Sequence, residues 1–376
     1  MRTARLPSPA HKQRGAALLL FVIALVMAAT YALLKKVNQA PSDALRDGYT
    51  MEQLNRARAA LLGYALNGLD PVTATVQPGR LPCPDYTLDG DSDACVIVGG
   101  YVQPGRLPWR TLGLSELRDT GNEPLWYVPA IEFNGSQPIN SNSDTTALRI
   151  DGGADAIVAV VLSAGAVLGT QSRPAGNPVA QLDPARYFED VNALGATAFV
   201  TVPAASTTPF NDRLLAIRLD RFMPTLEGRV LRELAGLLGS GPYPNPASIG
   251  TTACDNSNVE GLVPVDLDLL LTCDVATLPV FPNWFRNDWH PLVWYAMDPA
   301  ASLSIQLAGG GTTNNVQTLL FSPGGPLAAA GQSSPRPATP SVLELLEDGD
   351  NTDGPPSYQE PLASPTNNDQ ILIVAP

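Results

Sequence analysis

The longest apolar stretch of the chain lies near its N-terminus, over residues 15–34, and contains no charged residue. Its 20 residues match the roughly 20 that an α-helix needs to cross a hydrocarbon core about 30 Å thick. Basic residues flank the stretch on both sides: Arg2, Arg5, Lys12 and Arg14 precede it, and Lys35 and Lys36 follow it. The excess on the N-terminal side favours an N-terminus inside the cell and the bulk of the chain across the membrane.

Two other interpretations of this stretch stay open. A cleaved secretory signal has a hydrophobic region of about 7–15 residues, which is shorter than residues 15–34. A buried core helix is equally apolar, but it does not account for the basic residues ahead of the stretch. The pattern favours a retained membrane anchor over both.

A second helix is predicted after a polar break at residues 38–47, which includes Pro41. Thr50 and Gln53 have the spacing of a capping box, in which two side chains satisfy the first free amides of a helix. Apolar residues then recur three and four positions apart, as on one face of a helix, at Met51, Leu54, Ala57, Leu61, Leu62 and Ala65. We therefore predict a membrane helix, a kink, and an amphipathic helix that ends near Asn67.

The remainder of the chain consists of short apolar runs separated by clusters of Gly, Pro, Asn and Asp. The 36 Pro and 32 Gly residues are typical of many turns and short strands. Strands are predicted at 156–162, 198–203, 213–219 and 370–374, and a helix at 223–238. Gly309–Gly311 has the character of a hairpin tip, and the Pro-rich residues 335–365 that of a surface loop.

Three blocks of sequence occur twice and in the same order. PLWYVPA from Pro124 is repeated as PLVWYAMDPA from Pro291, residues 157–174 are repeated at 318–335, and NDRLLAI from Asn211 is repeated as NDQILIV from Asn368. The offset falls from 168 (Trp126 to Trp294) to 157 (Asn211 to Asn368), as deletions in loops would produce. The repeat predicts two related α+β heads, at 68–239 and 240–376, of which the second lacks a long N-terminal helix of its own.

The start of the apolar stretch, RGAALLL at residues 14–20, resembles the leader and helix start of type IV pilins and type II secretion pseudopilins. The resemblance implies a leader over 1–15, cleavage by prepilin peptidase between Gly15 and Ala16, and methylation of the new N-terminus. The transmembrane and stalk helix would then span 16–67, followed by two pilin-like antiparallel-sheet heads. It implies a single-pass protein of the bacterial inner membrane with a periplasmic C-terminal part, which contacts other pilin or pseudopilin subunits and can reach a surface filament.

The chain departs from the family at the fifth mature position, where Leu20 stands in place of the usual Glu. In the family, this Glu pairs with the N-terminal amine of a neighbouring subunit. Some minor and tip subunits lack it, so the departure favours a minor subunit. A group of prepilin-like proteins of Gram-negative bacteria resembles residues 61–219, including the elements GRLPCPD and GRLPWRTLGL.

Charge and cysteine content narrow the function further. A net charge of −13 would repel phosphate backbones, so nucleic acid is not an expected partner. The spacing of the four cysteines suggests the local pairs Cys83–Cys95 and Cys254–Cys273, although four cysteines allow three connectivities. In an exported chain, an even number of cysteines is typical of disulfides.

An acidic cluster lies between the first two cysteines: Asp85, Asp89, Asp91 and Asp93. The alternation of the last three directs carboxylates toward a hard cation, which makes this loop a candidate Ca²⁺ site. The glycine and the bidentate glutamate of an EF-hand loop are missing, and the alternative is a solvated acidic turn. The resemblance to pseudopilins, several of which hold Ca²⁺, favours the metal.

Catalytic motifs do not appear in the sequence. Its two histidines are His11, in the predicted leader, and His290, which has no nucleophile motif nearby. Trp284 and Trp289 fall outside the repeat blocks and are therefore candidates for a ligand surface. We predict a non-enzymatic pilin-like subunit; the alternative is an anchored or secreted envelope protein that binds a ligand and forms no filament. A hydrolase that uses His290 is a third and weaker hypothesis.

Overall fold

The structure is a computed structural model that describes residues 14–68, 77–134, 137–169, 171–195, 197–202, 209–267, 273, 275, 277–347, 349–360, 362–364 and 366–376. Side chains are described for these residues outside 14–17, 32–44 and 350. Most of the predicted leader, residues 1–13, therefore lies outside the described residues. The chain divides into two compact units, Met1–Glu52 and Gln53–Pro376. Both predicted heads fall within the second unit, and the boundary between them stays a prediction.

The described residues form a mixed α+β fold. The helices are α1 (Arg14–Asn67), α2 (Pro178–Gln181), α3 (Leu219–Leu238), α4 (Val342–Leu345) and α5 (Gly349–Thr352). Short 3₁₀ turns cover Ile131–Phe133, Pro184–Arg186, Asp190–Leu194, His290–Leu292 and Ala328–Ala330, and a π-helical turn covers Phe285–Trp289.

The strands before α3 are β1 (Ile97–Val98), β2 (Tyr101–Val102), β3 (Gly105–Arg106), β4 (Trp126–Pro129), β5 (Arg149–Ile150), β6 (Ile157–Ser163), β7 (Ala198–Phe199) and β8 (Arg213–Arg218). The strands after it are β9 (Glu260–Leu262), β10 (Trp294–Met297), β11 (Leu303–Gln306), β12 (Thr312–Val316), β13 (Thr318–Ser322), β14 (Ser357–Gln359) and β15 (Gln370–Ala375).

Two four-stranded antiparallel sheets form the core of the larger unit. The first has the order β3-β4-β6-β8 and the second the order β9-β10-β13-β15. Trp126 of β4 lies opposite Leu162 of β6, and Trp294 of β10 lies opposite Phe321 of β13. The three blocks that recur in the sequence therefore lie on corresponding strands of the two sheets. The central strands β6 and β13 are buried at every position, in keeping with the apolar residues that fill the middle of each strand.

Helix α3 joins the two sheets along the chain and packs against both of them, through β6 and β8 on one side and β13 and β15 on the other. Its inward positions recur every three or four residues, which buries one apolar stripe of the helix. The buried residues are Phe222, Met223, Leu226, Glu227, Val230, Leu231, Leu234 and Leu238. Glu227 is the acidic residue in this stripe.

The predicted break between two N-terminal helices is wrong. Helix α1 continues through Pro41, and Thr50 is an interior helical residue that is only 4% exposed. A proline removes one hydrogen bond from a helix and can bend it, but it does not have to end it. The predicted apolar stripe after this point is confirmed, because Leu54, Ala57 and Leu61 are fully buried.

Two loop predictions had different outcomes. The glycine tip at 309–311 does join an antiparallel hairpin, β11–β12, which forms a three-stranded sheet with β14. The Pro-rich residues 335–365 do not form a simple surface loop: they contain α4 and β14, and they bury Leu345 and Tyr358. The Pro-rich composition of this segment gave no sign of these short elements. Strand β14 forms by pairing with β11, which lies more than 50 residues earlier in the chain.

Candidate functional site

The acidic loop between Cys83 and Cys95 is organised around Asp85, which is 1% exposed. Its Oδ1 accepts hydrogen bonds from the amides of Thr87 and Leu88 at 3.0 and 2.6 Å, and its Oδ2 accepts one from Gly90 at 2.7 Å. Burial raises the pKa of Asp85, against the opposing effect of these amides. The carboxylate thus holds the turn in shape.

The other carboxylates of the loop also have partners within the protein. Asp93 accepts the amides of Tyr86 and Thr87 at 2.6 and 2.9 Å, and Asp91 forms a 3.0 Å ion pair with Arg110. Asp89 accepts the amide of Asp91 at 2.9 Å, and this hydrogen bond lowers the pKa of Asp89. Over the described residues, no three His, Cys, Asp or Glu side chains are grouped closely enough to hold a metal ion.

The Ca²⁺ site therefore stays a prediction. If the loop is a Ca²⁺ site, titration calorimetry should detect Ca²⁺ binding, because carboxylates turned toward a common centre would ligate the ion. Replacing Asp89 and Asp91 together by Asn should abolish that heat, while Asp183→Asn, an exposed carboxylate elsewhere, should leave it unchanged. Equal heats in all three proteins would exclude the loop as the site.

Both disulfides have the local pairing that the spacing suggested. Cys83 is bonded to Cys95 and Cys254 to Cys273, with sequence separations of 12 and 19. The first bridge closes the acidic loop, and the second joins residues on either side of β9. Such short loops limit each bridge to stiffening its own neighbourhood.

The proposed ligand-binding role of Trp284 and Trp289 is wrong, because these side chains are 4% and 1% exposed. Trp284 packs edge-on against Phe285, and Trp289 ends the same π-helical turn ahead of β10. His290 lies in the same turn, with its Nε2 2.9 Å from the carbonyl oxygen of Val263. Burial lowers the pKa of His290, so the neutral ring donates to this carbonyl. These are the contacts of a structural histidine.

The predicted processing positions Gly15 and Ala16 lie in the first turn of α1. Beyond them, α1 leaves large apolar side chains in the open: Leu18, Leu19, Leu20, Phe21, Val22, Ile23, Leu25, Val26, Met27 and Tyr31, each 46–70% exposed. Soluble monomers rarely expose a continuous apolar surface of this size. Within the described part of the chain, no helix has both the length and the hydropathy needed to cross a membrane.

A buried polar cluster joins β8 to the segment after β6, and we call it the first polar cluster: Gln171, Arg173, Glu189, Asn211 and Asp212. The side chain of Gln171 donates to Glu189 at 2.6 Å, and the backbone amide of Asn211 donates to the same carboxylate at 3.0 Å. Arg173 donates to Gln171 at 2.9 Å and to the carbonyl of Gly165 at 2.7 Å. The network ties the segment that follows β6 to the residues directly ahead of β8.

The second sheet carries the same arrangement, the second polar cluster: Gln332, Arg336, Glu347, Asn368 and Asp369. The side chain of Gln332 donates to Glu347 at 2.7 Å, and the backbone amide of Asn368 donates to Glu347 at 3.1 Å. Arg336 donates to Gln332 at 2.9 Å and to the carbonyl of Gly324 at 2.8 Å. These four hydrogen bonds match those of the first cluster, whereas the ion pairs differ, because Arg173 pairs with Glu123 and Arg336 with Glu347.

The sequence held only part of the signal for these clusters. The glutamine and the Asn-Asp pair were visible within the repeat blocks, because their spacing to the strands is similar in both halves. The arginine and the glutamate were missed: Arg173 follows Gln171 by two residues and Arg336 follows Gln332 by four. Loops of different length bring the same side chains to the same place.

Each cluster contains two buried carboxyl groups in contact. The pKa of Asp212 is raised, first by burial and then by the charge of Glu189 and their shared hydrogen bond. The pKa of Asp369 is raised in the same way by burial and by Glu347, with Arg336 opposing the rise. Two close carboxylates in an apolar surrounding favour retention of one proton.

A cavity of about 370 Å³ opens beside the first sheet. The guanidinium group of Arg106 lies on its wall between the rings of Trp126 and Tyr187, at 4.2 and 4.4 Å from their centroids. Burial lowers the pKa of Arg106 to about 10. Arg106 lies opposite Trp126 in the first sheet. In the second sheet Leu262 lies opposite Trp294, so an apolar residue takes the place of the arginine there.

A larger cavity, of about 430 Å³, lies between the two sheets and beside the N-terminal half of α3. Its lining comes from Ala156, Leu219, Met223 and Pro224 on one side and from Gly324, Gly325, Leu327 and Asn368 on the other. Glu227 is part of this lining. Binding cavities are characteristically apolar with a few well-placed polar groups, a description that this cavity fits.

Comparison of the chain with family models, with curated proteins and with solved structures gives no match. The class of the protein therefore rests on its own residues: an α+β chain with a long N-terminal helix, two disulfides and two antiparallel sheets that repeat one polar cluster.

Proposed function

We propose that this chain is a non-enzymatic, pilin-like minor subunit, anchored by α1 in the bacterial inner membrane with its two heads in the periplasm. The observation that carries the proposal is the surface of α1. The same helix is apolar and exposed from Leu18 to Tyr31, and apolar and buried at Leu54, Ala57 and Leu61. An exposed apolar helix requires a lipid or protein surrounding, whereas the buried stripe already has one.

The two sheets support the second half of the proposal. Each is a four-stranded antiparallel sheet with the repeat blocks on corresponding strands, so one anchor would present two related heads. The lack of Glu at Leu20 favours a minor subunit, one that assembles into or primes a type IV pilus or a type II secretion pseudopilus. Its partners are then other pilin helices and prepilin peptidase.

The proposal predicts processing at Gly15. Intact-mass measurement of the protein extracted from membranes of a host with prepilin peptidase should show a chain that begins at methylated Ala16. Gly15→Glu should leave the leader uncut, because the peptidase must fit the residue before the cleaved bond. Gly48→Ala, in the same helix and in open space, is the matched control and should be processed as the parent is. A parent chain that keeps its leader, or is cut near Ala28–Ala32, would contradict the proposal.

The cavities favour one alternative function, an anchored envelope protein that binds a ligand and has no part in a filament. The cavity beside Arg106 and the cavity beside Glu227 have the volume of small-molecule sites. Cross-linking from Leu18 or Val22 to another pilin-like helix in intact cells distinguishes the two functions. A filament subunit should give such products, and an isolated binding protein should not.

A further inference from the structure

The cavity between the two sheets contains a buried carboxyl oxygen that no group in the described part of the chain satisfies. Glu227 is 1% exposed, and its Oε2 accepts a hydrogen bond from Gln370 Nε2 at 3.0 Å. Its Oε1 has no hydrogen-bond partner among the described residues. A buried polar atom without a partner costs about 1–3 kcal/mol, so one is retained only where something compensates for it.

A second unsatisfied acceptor lines the same cavity. The Nδ2 of Asn368 donates to the carbonyl of Gly325 at 2.8 Å, which leaves its Oδ1 buried and without a partner in the described structure. In the first half of the repeat, the same atom of Asn211 has no partner among the described residues, so the asparagine alone does not define a site. What distinguishes the second half is Glu227 on the wall beside it.

Arg336, whose charge acts on Glu227, is already committed to other groups. Arg336 donates to the carbonyl oxygens of Pro323 and Gly324 at 3.0 and 2.8 Å and to Gln332 at 2.9 Å. It also donates to the carbonyl of Glu344, and it lies 3.8 Å from the carboxylate of Glu347. Glu227 therefore receives no direct ion pair from it.

The exposed end of the cavity, which we call its mouth, is lined by Asp155, Arg218 and Asp220 and carries a net negative charge. Asp155 and Asp220 both bind Arg218, at 2.6 and 3.3 Å, so two carboxylates share one guanidinium group. The walls between the mouth and Glu227 are aliphatic, with Leu219, Met223 and Leu327 among them. A ligand suited to this cavity has hydrogen-bond donors, positive charge and an apolar body.

We propose that the cavity between the two sheets binds a primary ammonium group carried on an aliphatic chain, with Glu227 as its counter-ion and Asn368 Oδ1 as a second acceptor. A primary ammonium has three N–H donors, enough for both oxygens and one water. The aliphatic part replaces water along Leu219, Met223 and Leu327 and contributes through burial of apolar surface. This site does not depend on whether the chain joins a filament.

Titration calorimetry of the full-length protein in mild detergent, with n-hexylammonium chloride as the probe, tests the proposal. Hexan-1-ol has the same apolar chain without a charge, and sodium hexanoate has a chain one methylene shorter with a negative charge. We expect binding of hexylammonium, at least tenfold weaker binding of hexanol, and none of hexanoate. Equal binding of hexylammonium and hexanol, or no binding of hexylammonium, would overturn the proposal.

Two variants assign the binding to Glu227. Glu227→Gln keeps the shape of the side chain and an acceptor for Gln370, so the fold should persist; hexylammonium should then bind at least tenfold more weakly. Glu233→Gln, on the same helix and 33% exposed, is the matched control and should bind as the parent does. A Glu227→Gln protein that binds hexylammonium with unchanged affinity would place the ammonium elsewhere and overturn the proposal.

The pH dependence gives a separate test. Burial raises the pKa of Glu227 to about 8, with Glu347 adding to the rise and Arg336 and the hydrogen bond from Gln370 opposing it. Because the ammonium ion needs the ionised carboxylate, affinity should fall about tenfold between pH 7 and pH 6. The other charged groups that line the cavity are the exposed Asp155, Arg218 and Asp220, which pair with one another. An affinity independent of pH would exclude Glu227 as the counter-ion.

Discussion

Replacement of Arg336 by Met is expected to lower the free energy of unfolding by about 3–5 kcal/mol, the cost of removing one partner from a buried, charged network. The guanidinium group is buried, and it satisfies the carbonyls of Pro323 and Gly324 together with Gln332. Methionine fills much of the volume but donates nothing. Those acceptors, and the charge of Glu347, would then be buried without compensation.

The duplication supplies its own comparison. Arg173 makes the equivalent contacts in the first polar cluster, with Gly165 and Gln171, and has a side chain only 4% exposed. Arg173→Met should therefore destabilise the protein by a similar amount. Arg186, which forms a half-exposed pair with Asp183, is the matched control. Its replacement should change stability by no more than about 0.5 kcal/mol.

Urea unfolding of the full-length protein, followed by tryptophan fluorescence, measures all three variants. Trp126 lies 5.2 Å from Tyr187 between ring centroids, and the carbonyl of Tyr187 accepts a hydrogen bond from Arg173, so the signal reports on the surroundings of the first polar cluster. A loss at Arg336 no larger than the loss at Arg186 would show that the second cluster does not hold the sheet together.

Replacement of Asp369 by Asn is expected to make the protein more stable at pH 8 and to flatten its stability between pH 5 and pH 8. In the unfolded chain this carboxyl group ionises near pH 4. In the folded chain, burial and Glu347 raise its pKa, so the group keeps its proton to a higher pH. Above pH 4 the folded state therefore binds more protons than the unfolded state, and stability falls as the pH rises until the folded carboxyl ionises.

An asparagine at position 369 removes this loss because it mimics the protonated acid. Its carbonyl oxygen can accept the amide of Glu347, as Asp369 Oδ2 does at 3.2 Å, while its amide group donates to the Glu347 carboxylate. The gain at pH 8 should exceed about 1.4 kcal/mol, the equivalent of a single unit of pKa. Thermal unfolding at three pH values measures it.

The first polar cluster should behave in the same way. Asp212 faces Glu189 and Asn192, and its pKa is raised by burial and by the neighbouring carboxylate. Asp212→Asn should therefore flatten the same pH interval, and the double variant should flatten it further. Asp183→Asn is the control, because Asp183 is 43% exposed and its replacement should keep the parent's pH dependence. A parent protein whose stability does not fall between pH 5 and pH 8 would contradict the shared-proton arrangement.

The repeat illustrates how far sequence patterns reach in this protein. Strands β4, β6, β8, β10, β13 and β15 lie at the recurring blocks, because short apolar runs bounded by turns have few other solutions. The helix at residues 223–238 was also recognisable, and it begins four residues earlier, at Leu219. The break at Pro41 was wrong, since a local helix-breaking preference does not outweigh a long helix on either side.

The candidate sites were much harder to predict. The acidic loop was conspicuous by its composition, yet the carboxylates of Asp85 and Asp93 accept hydrogen bonds from backbone amides in the structure. Glu227 appeared only as one polar residue in an amphipathic helix, with no sign that it is buried. Its position became informative when Gln370 and Asn368, more than 140 residues away, came to lie beside it.

The sequence by itself determined the apolar character of the N-terminal segment, the preference for local cysteine pairs and the order of the recurring blocks in the two halves, because each depends on periodicity or short separation along the chain. Only the tertiary structure decided which polar side chains meet. The two polar clusters and the cavity beside Glu227 are assembled from segments whose spacing differs or is large, and burial, which sets their charges, is a property of the packed molecule rather than of any one segment.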